Sequence, residues 1–134
     1  MNRQILFKAK RKDNGEWVEG YYLNIAKVNH FICTGKIKLD GALKGIVAPE
    51  MYAIDPDTLC QYTGLTDKNG KKIWENDILE CGMRLRVSWH HFKASWVLSK
   101  KGWMYNHFFG ESVEPEDVEV IGNIFDNPEL LEVE

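Results

Sequence analysis

This chain of 134 residues contains few cysteines and histidines, three and four respectively. The cysteines, Cys33, Cys60 and Cys81, are isolated and odd in number, which argues against a disulfide framework and favours a reducing compartment. No C-x-x-C pair is available to complete a zinc site. His90 and His91 are adjacent, so on a continuous strand they point to opposite faces and cannot bind one ion together. We therefore expect no metal site and no cofactor.

Long apolar runs are also absent. No run approaches the roughly 18 residues that a membrane-spanning helix needs. The start, "MNRQILFKAKRK", becomes basic again after a few apolar residues, unlike a signal peptide. Neither G-x-x-x-x-G-K-[ST] nor G-x-G-x-x-G occurs, which excludes the common phosphate-binding loops. These absences predict a cytoplasmic protein without a membrane segment.

Aromatic residues, by contrast, are plentiful, at 12% of the chain with five tryptophans. Bulky side chains of this kind fill the interior of a small β-rich domain. Short strand patterns recur at close spacing between glycine turns, and no amphipathic helix is available to cross between parallel strands. The sequence therefore favours a mainly β chain, built as a barrel or a sandwich, over an α/β fold.

Local patterns place several of these strands. "QILFKAK", the turn "KDNG" and "EWVEGYYL" predict an N-terminal hairpin, and "MRLRVSW" predicts a strand with alternate apolar side chains on one face. Residues 24–58 predict only short strands and a loop ending near "DPDT", because glycines and Pro49 interrupt the apolar pieces. Asn127 as an N-cap, followed by Pro128, predicts one or two helical turns at the end of the chain.

The stretch "QYTGLTDKNGKKIWENDIL" concentrates turn residues and carboxylates. Asp67, Glu75 and Asp77 can be interpreted as a ligand or catalytic cluster, or as residues that shape the chain. Asp67 stands two residues before Asn69-Gly70, where a short acceptor can bond the N–H groups of a turn, and Asp77 has a similar place before a strand. No histidine or third acid lies at ligand spacing. We therefore predict a structural role and no catalytic residue.

This stretch, together with "VIGNIFDNPELLE" near the end of the chain, resembles the YopX family of phage- and prophage-encoded proteins. The family core reads roughly Gln-Tyr-Thr-Gly-Leu-x-Asp-x-Asn-Gly-Lys-x-Ile-Tyr-Glu-Gly-Asp-Ile, followed later by Ile-Gly-Asn-Ile and Asn-Pro-Glu-Leu. Trp74 stands where the family usually has Tyr, and Asn76 where it usually has Gly, a mild change because Asn tolerates a left-handed backbone. We assign a structural role to the motif residues Gln61, Tyr62, Thr63, Gly64, Asp67, Asn69, Gly70, Glu75, Asp77, Gly122 and Asn123.

The resemblance implies a small SH3-like barrel in the C-terminal half and a smaller β-rich N-terminal part. We place the N-terminal subdomain at 1–58 and the barrel, with its acidic C-terminal tail, at 59–134. The resemblance brings no enzymatic activity with it. It implies a phage or prophage accessory protein that acts in the cytoplasm of the host bacterial cell.

Charge is unevenly distributed although the net charge is only −3: residues 81–110 carry five basic side chains and no acid, and residues 111–134 carry nine acids and no base. A cationic strand face with nearby aromatics can bind single-stranded nucleic acid. It can also pair with the acidic segment, within the chain or in a neighbouring subunit, or it can be a plain solvated face. The candidate binding face comprises Arg84, Arg86, His90, Lys93, Trp96, Lys100 and Lys101.

We expect a non-enzymatic interaction module that forms a homo-oligomer or binds a protein partner, because segregated charge and exposed strand edges favour association. The alternative is a weak single-strand nucleic-acid-binding barrel that uses the face around Arg84 and Arg86. The overall charge and a pI near 5.8 count against strong nucleic-acid binding.

Overall fold

The computed structural model describes residues 5–40, 46–100, 107–109 and 113–131. The chain divides into two compact units, Met1–Gln61 and Tyr62–Glu134. The paired strands of both units run antiparallel, and the prediction of a mainly β chain is confirmed. Within the described ranges, no helix is both long enough and apolar enough to cross a membrane.

The N-terminal unit is a sheet of β1 (Phe7–Lys10), β2 (Trp17–Ile25), β3 (Asn29–Asp40), β4 (Ile46–Ala53) and the beginning of β5 (Cys60–Thr66). The strand order is β4-β3-β2-β1-β5. β1 pairs with β2, β2 with β3 and β3 with β4, and β1 also pairs with the start of β5. The sheet is therefore built mainly from hairpins between consecutive strands.

The predicted N-terminal hairpin, β1–β2, is confirmed. The N–H of Arg11 donates to the carbonyl of Glu16, and the N–H of Gly15 donates to the carbonyl of Arg11, both at 2.9 Å. Gly15 has φ 73°, a left-handed conformation that costs glycine little. The "KDNG" turn therefore closes as its residue types predict.

Residues 24–58 differ from the prediction of short strands. β3 is twelve residues long and β4 eight, and the two form one long hairpin. Gly35, at φ 85°, lies where the strand register shifts between Cys33 and Ile37, so it allows a bulge inside a strand and does not end the strand. Pro49 lies on β4 at the edge of the sheet, where a missing N–H is tolerated. The prediction was wrong because these residues interrupt the apolar pattern without interrupting the strand.

The core of the N-terminal unit lies on one face of its sheet. It consists of the buried Ala9, Ile32 and Ile54, with partly buried side chains packed around them. The surrounding side chains are Phe7, Val18, Tyr22 and Leu59. Among the side chains that the structure describes, three buried hydrophobic residues form the centre of this core, which is few for a sheet with such long strands.

The C-terminal unit contains the end of β5, β6 (Lys72–Trp74), β7 (Asp77–Glu80), β8 (Arg84–His90), β9 (Ser95–Ser99), β10 (His107–Phe108) and β11 (Glu119–Asn123). Five strands form a sheet in the order β10-β9-β8-β7-β11, and β6 pairs with the end of β5. Its core is larger and comprises the buried Ile73, Leu79, Leu85, Val87, Leu98, Val118 and Val120.

Glu75 and Asn76 form a turn that separates β6 from β7. One local prediction for this unit needs correction. The predicted helical turns at the end of the chain are a 3-10 turn at Pro128–Leu131. The Asn127 side chain accepts the N–H of Asn123 at 3.3 Å, so it holds the preceding loop.

Candidate functional site

The carboxylate of Asp67 organises the first corner of the "QYTGLTDKNGKKIWENDIL" stretch. Its Oδ1 accepts the N–H groups of Asn69 at 2.8 Å and Lys71 at 2.9 Å. Its Oδ2 accepts the N–H of Val120 at 3.0 Å. Gly70 completes the turn at φ 79°. Asp67 therefore fixes a local turn and also ties it to β11, which is distant in sequence.

Two opposed effects set the pKa of Asp67. Burial raises the pKa, because a buried carboxylate loses its hydration. The N–H donors of Val120, Lys71 and Asn69, together with the charge of Lys71, outweigh burial and bring the pKa below its usual value of 3.8. The group is therefore a charged hydrogen-bond acceptor at neutral pH, which suits a structural role and not proton transfer.

Asp77 organises the second corner in a similar way. It is buried, and its Oδ2 accepts the N–H of Trp74 at 2.8 Å across the turn between β6 and β7. Asn76 in that turn has φ 71°, the left-handed conformation that Asn tolerates best after Gly. The N–H of Asn76 donates to the carbonyl of Val87 at 2.8 Å, and its carbonyl accepts the N–H of Ile124 at 3.1 Å. The corner is thereby joined to β8 and to the loop after β11.

The other motif residues also make structural contacts. Thr63 donates its hydroxyl to the carbonyl of Ile73 at 2.7 Å, and the ring of Tyr62 lies 5.4 Å from the ring of Trp74. Gly64 is exposed at φ 86°, and Gln61 and Glu75 are half-buried. A Cβ at Gly122 would collide with Oδ1 of Asn127. Oδ1 of Asn123 accepts the N–H groups of Phe125 and Asp126, both at 2.9 Å.

The arginines of the candidate binding face lie on the same face of β8, but that face is not simply solvated. Ile78 lies opposite Arg86 in the ladder, Val97 lies on the same face of β9, and both apolar residues are buried. The 3-10 turn at the end of the chain lies against β8. There the half-buried Arg84 donates from Nη1 to the carbonyl of Leu130 at 3.3 Å. The C-terminal segment thus contacts this face through a backbone carbonyl.

Arg86 is exposed and supports the second corner. Its Nη2 donates to Oδ1 of Asn76 at 2.9 Å. The guanidinium therefore holds the side chain of the residue whose left-handed backbone turns the chain into β7. This contact gives Arg86 a structural task beside any role in binding.

The remaining candidate residues do not share one face. His90 lies on the arginine face of β8, whereas Trp96 pairs with Trp89 on the face that carries the core. Lys93 and Lys100 are exposed, one in the β8–β9 turn and one just after β9. Lys101 lies outside the described residues. The candidate set is therefore split between two faces and a hairpin turn.

Burial determines the surroundings of two of the three cysteines, Cys60 and Cys81. The thiol of the buried Cys60 donates to the carbonyl of Thr58 at 3.3 Å. Burial raises the pKa of the half-buried Cys81 thiol above its usual value, which lowers the thiolate fraction at neutral pH. Both side chains behave as small hydrophobic residues.

A surface that sequence reasoning missed lies on β2. Tyr21, Leu23 and Ile25 alternate along this strand, so they share one face, and they are 55%, 41% and 50% exposed. Their cross-strand neighbours Phe31 and Cys33 are only half-buried. We call Tyr21, Leu23 and Ile25 the β2 apolar face. The run "EWVEGYYL" includes two of these residues, but because Tyr21 and Tyr22 are adjacent, its pattern does not indicate which aromatic residue points outward.

A polar cleft of about 330 Å³ lies beside the first corner. It is lined by residues 64–68, Pro115 and Glu116. Within the ranges that the structure describes, no three side chains of His, Cys, Asp or Glu are grouped closely enough to hold a metal ion. The carboxylate of Asp67 in this cleft is already bonded to backbone N–H groups.

Comparison with known proteins identifies a structural relative and a family. The chain is similar to the crystal structure of protein EF1440 from Enterococcus faecalis, with a TM-score of 0.57 and 23% identity over 97% of this chain and 99% of that one. At this identity the likeness concerns the fold alone. No curated protein gives a significant match. The family model described as YopX protein matches residues 6–132, nearly the whole chain, and the protein belongs to the YopX family.

Proposed function

We propose that this YopX family member is a phage or prophage accessory protein that acts in the cytoplasm of the host bacterial cell. It works as a self-associating interaction module and not as an enzyme, with an SH3-like barrel in its C-terminal half. The hydrogen bonding of its buried acids supports a non-catalytic role, because Asp67 and Asp77 are engaged by backbone N–H groups.

The β2 apolar face is the observation that carries this proposal. Three large side chains on one face of one strand are each more than 40% exposed, and their half-buried neighbours extend the apolar surface across β3. A contiguous exposed apolar surface is typical of an interaction site, whereas scattered single apolar residues are ordinary. We therefore assign the self-association to this face.

A second copy of the chain is the partner that fits. Most soluble homo-oligomers are closed by two-fold axes, which bring the same surface of two subunits together. Towards β1 the same sheet face carries Lys8 opposite Glu19, so its margin holds both signs of charge. Two identical faces can therefore meet without a uniform like-charge repulsion.

The test is light scattering of purified protein across the micromolar range, at low and moderate salt. We expect the wild type to be a dimer or larger. The Leu23→Lys variant places a charge on the β2 apolar face and should weaken association at least tenfold. The matched control is Asn24→Lys, because Asn24 is also exposed but lies on the opposite face of β2. A monomeric wild type, or equal disruption by both variants, contradicts the proposal.

A further inference from the structure

The β8–β9 hairpin exposes aromatic surface that the core does not use. Phe92, in the turn, is 91% exposed, and Trp89, near the end of β8, is 46% exposed. The Trp89 ring lies edge-to-face against Trp96, with ring centroids 5.0 Å apart, and Trp96 packs against the core of the C-terminal unit. The indole of Trp89 is therefore held in place by Trp96 on one side and remains partly exposed to solvent.

The turn that carries Phe92 has a defined conformation. The N–H of Lys93 donates to Nδ1 of His90 at 3.1 Å, and the ring of His91 lies 5.4 Å from the ring of Phe92. Ala94 adopts φ 47° at the end of the turn. The hairpin thus presents an exposed phenyl ring and the neighbouring lysine from a structured turn, so less ordering is needed on binding.

The charged side chains of the sequence segment that carries these rings have one sign. Residues 81–110 contain five basic side chains and no acid, and Lys93 directly follows Phe92 and is exposed. An apolar protein pocket could receive Phe92 but would make no use of the lysine. A single nucleic-acid strand matches both features, because its bases stack on aromatic rings while its phosphates attract cations.

We propose that the tip of the β8–β9 hairpin binds single-stranded nucleic acid. Trp89 and Phe92 stack on unpaired bases, and Lys93 contacts a phosphate. Stacking requires an open base face, so a duplex, whose bases are stacked on one another, binds more weakly. This site differs from the arginine face of β8, where Arg84 and Arg86 already bond to Leu130 and Asn76. It also belongs to a different unit of the chain from the β2 apolar face.

The test is fluorescence anisotropy of a labelled oligothymidine with the full-length protein. Small barrels occupy about 4–16 nucleotides, so a strand of about 20 nucleotides covers the site. We expect binding at about 50 mM salt that weakens by about 200 mM, with a log–log slope of roughly −0.7 for each phosphate contacted. A duplex of the same length should bind at least several-fold more weakly. Absence of binding at the lowest salt, or equal affinity for the duplex, overturns the proposal.

Matched variants separate stacking from general charge attraction. Phe92→Ala should weaken binding about fivefold to one-hundredfold, the usual loss when one stacking ring is removed. Met83→Ala removes another exposed apolar side chain just before β8 and should leave the affinity unchanged. Lys93→Glu should abolish most binding, whereas Lys36→Glu, the same charge change at an exposed lysine of the N-terminal unit, should not.

Two results would contradict the assignment to this hairpin. If Phe92→Ala binds like the wild type, the ring does not stack on bases. If Lys36→Glu loses as much affinity as Lys93→Glu, the attraction is nonspecific. Because Phe92 is almost fully exposed, its replacement should leave folding intact, and circular dichroism checks this. A monomeric protein that still binds the strand refutes self-association and leaves this site standing, so the two proposals fail separately.

Discussion

Among the residues that the structure describes, the N-terminal unit has the longer strands and the smaller hydrophobic core. β2, β3 and β4 are nine, twelve and eight residues long, yet the described core around them contains three buried hydrophobic residues. In the described ranges of the C-terminal unit, no strand that lies wholly within the unit exceeds seven residues. The core of this unit nevertheless contains seven buried hydrophobic residues. Backbone pairing and hydrophobic burial are therefore distributed differently. The N-terminal unit extends its hairpins and leaves the β2 apolar face open, whereas the C-terminal unit folds short strands around apolar side chains.

The two units also use aspartate differently in their turns. Asp67 is buried and held by backbone N–H groups from two separate parts of the C-terminal unit. Asp13, in the β1–β2 turn, is exposed and pairs with Arg11 at 2.6 Å. Asp67 joins parts of the chain that are distant in sequence, whereas Asp13 contacts a residue of its own turn. We therefore expect the corners of the C-terminal unit to matter more for stability than the turns of the N-terminal unit.

The largest expected difference in stability is between two leucine-to-alanine variants, one in each unit. Leu98→Ala creates a cavity in the larger core and should lower the free energy of unfolding by about 2–5 kcal/mol. Leu23→Ala shortens a side chain of the β2 apolar face; at a protein concentration low enough to keep the chain monomeric, it should change this free energy by no more than about 0.5 kcal/mol. Urea unfolding followed by circular dichroism measures both. Similar losses for the two variants would mean that Leu23 is covered in solution, as it is in an oligomer that persists at the assay concentration.

Asp67→Asn should have the next largest effect, about 2–3 kcal/mol, because it removes a charged acceptor from buried N–H groups. The pKa of this carboxyl is lowered in the folded protein, so its contribution is present above the unfolded value, near 3.8. It is lost as the pH falls through the folded pKa below that value. Urea unfolding at neutral pH and at about pH 3 should therefore show a gap between wild type and variant that narrows in acid.

Asp13→Asn is the control for that measurement. Its pKa is lowered too, through the hydrogen bond to Arg11, but both partners are in contact with solvent. An exposed pair of this kind is screened by salt and contributes little. If Asp13→Asn lowers the free energy of unfolding as much as Asp67→Asn does, the two turns do not differ in their contribution to stability, and the proposed difference is wrong.

Short-range chemistry made part of this fold predictable. The spacing of Asp67 from Asn69 and Gly70 identifies a turn, because all the atoms involved lie within four residues. The bond from the N–H of Val120 to Asp67 spans 53 residues and leaves no local signal. Arg84 illustrates the same limit, since the carbonyl to which it donates belongs to Leu130, 46 residues away. Patterns within a strand therefore predict which face a residue takes, but not what covers that face.

The long β3–β4 hairpin shows a second limit. Gly35 and Pro49 are common at strand ends, so they predicted breaks. In the folded chain Gly35 sits at a bulge and Pro49 on an edge strand, two places where a strand accepts these residues. Whether a strand lies at an edge depends on the pairing of the whole sheet. The sequence of one strand therefore does not predict its edge position.

The smallest of the three main predicted losses of stability tests the corner between β6 and β7. Asn76 has φ 71°, where a Cβ-bearing residue without a polar side chain is disfavoured by about 1–2 kcal/mol. Asn76→Ala should lose about that amount of unfolding free energy. Asn76→Gly should lose less, because glycine accepts the left-handed backbone although it gives up the hydrogen bond from Arg86. Arg86→Ala removes only that hydrogen bond and separates the two contributions. If Asn76→Ala and Asn76→Gly lose equal amounts in urea unfolding, the backbone conformation is not what the asparagine supplies, and the corner depends on its side chain alone.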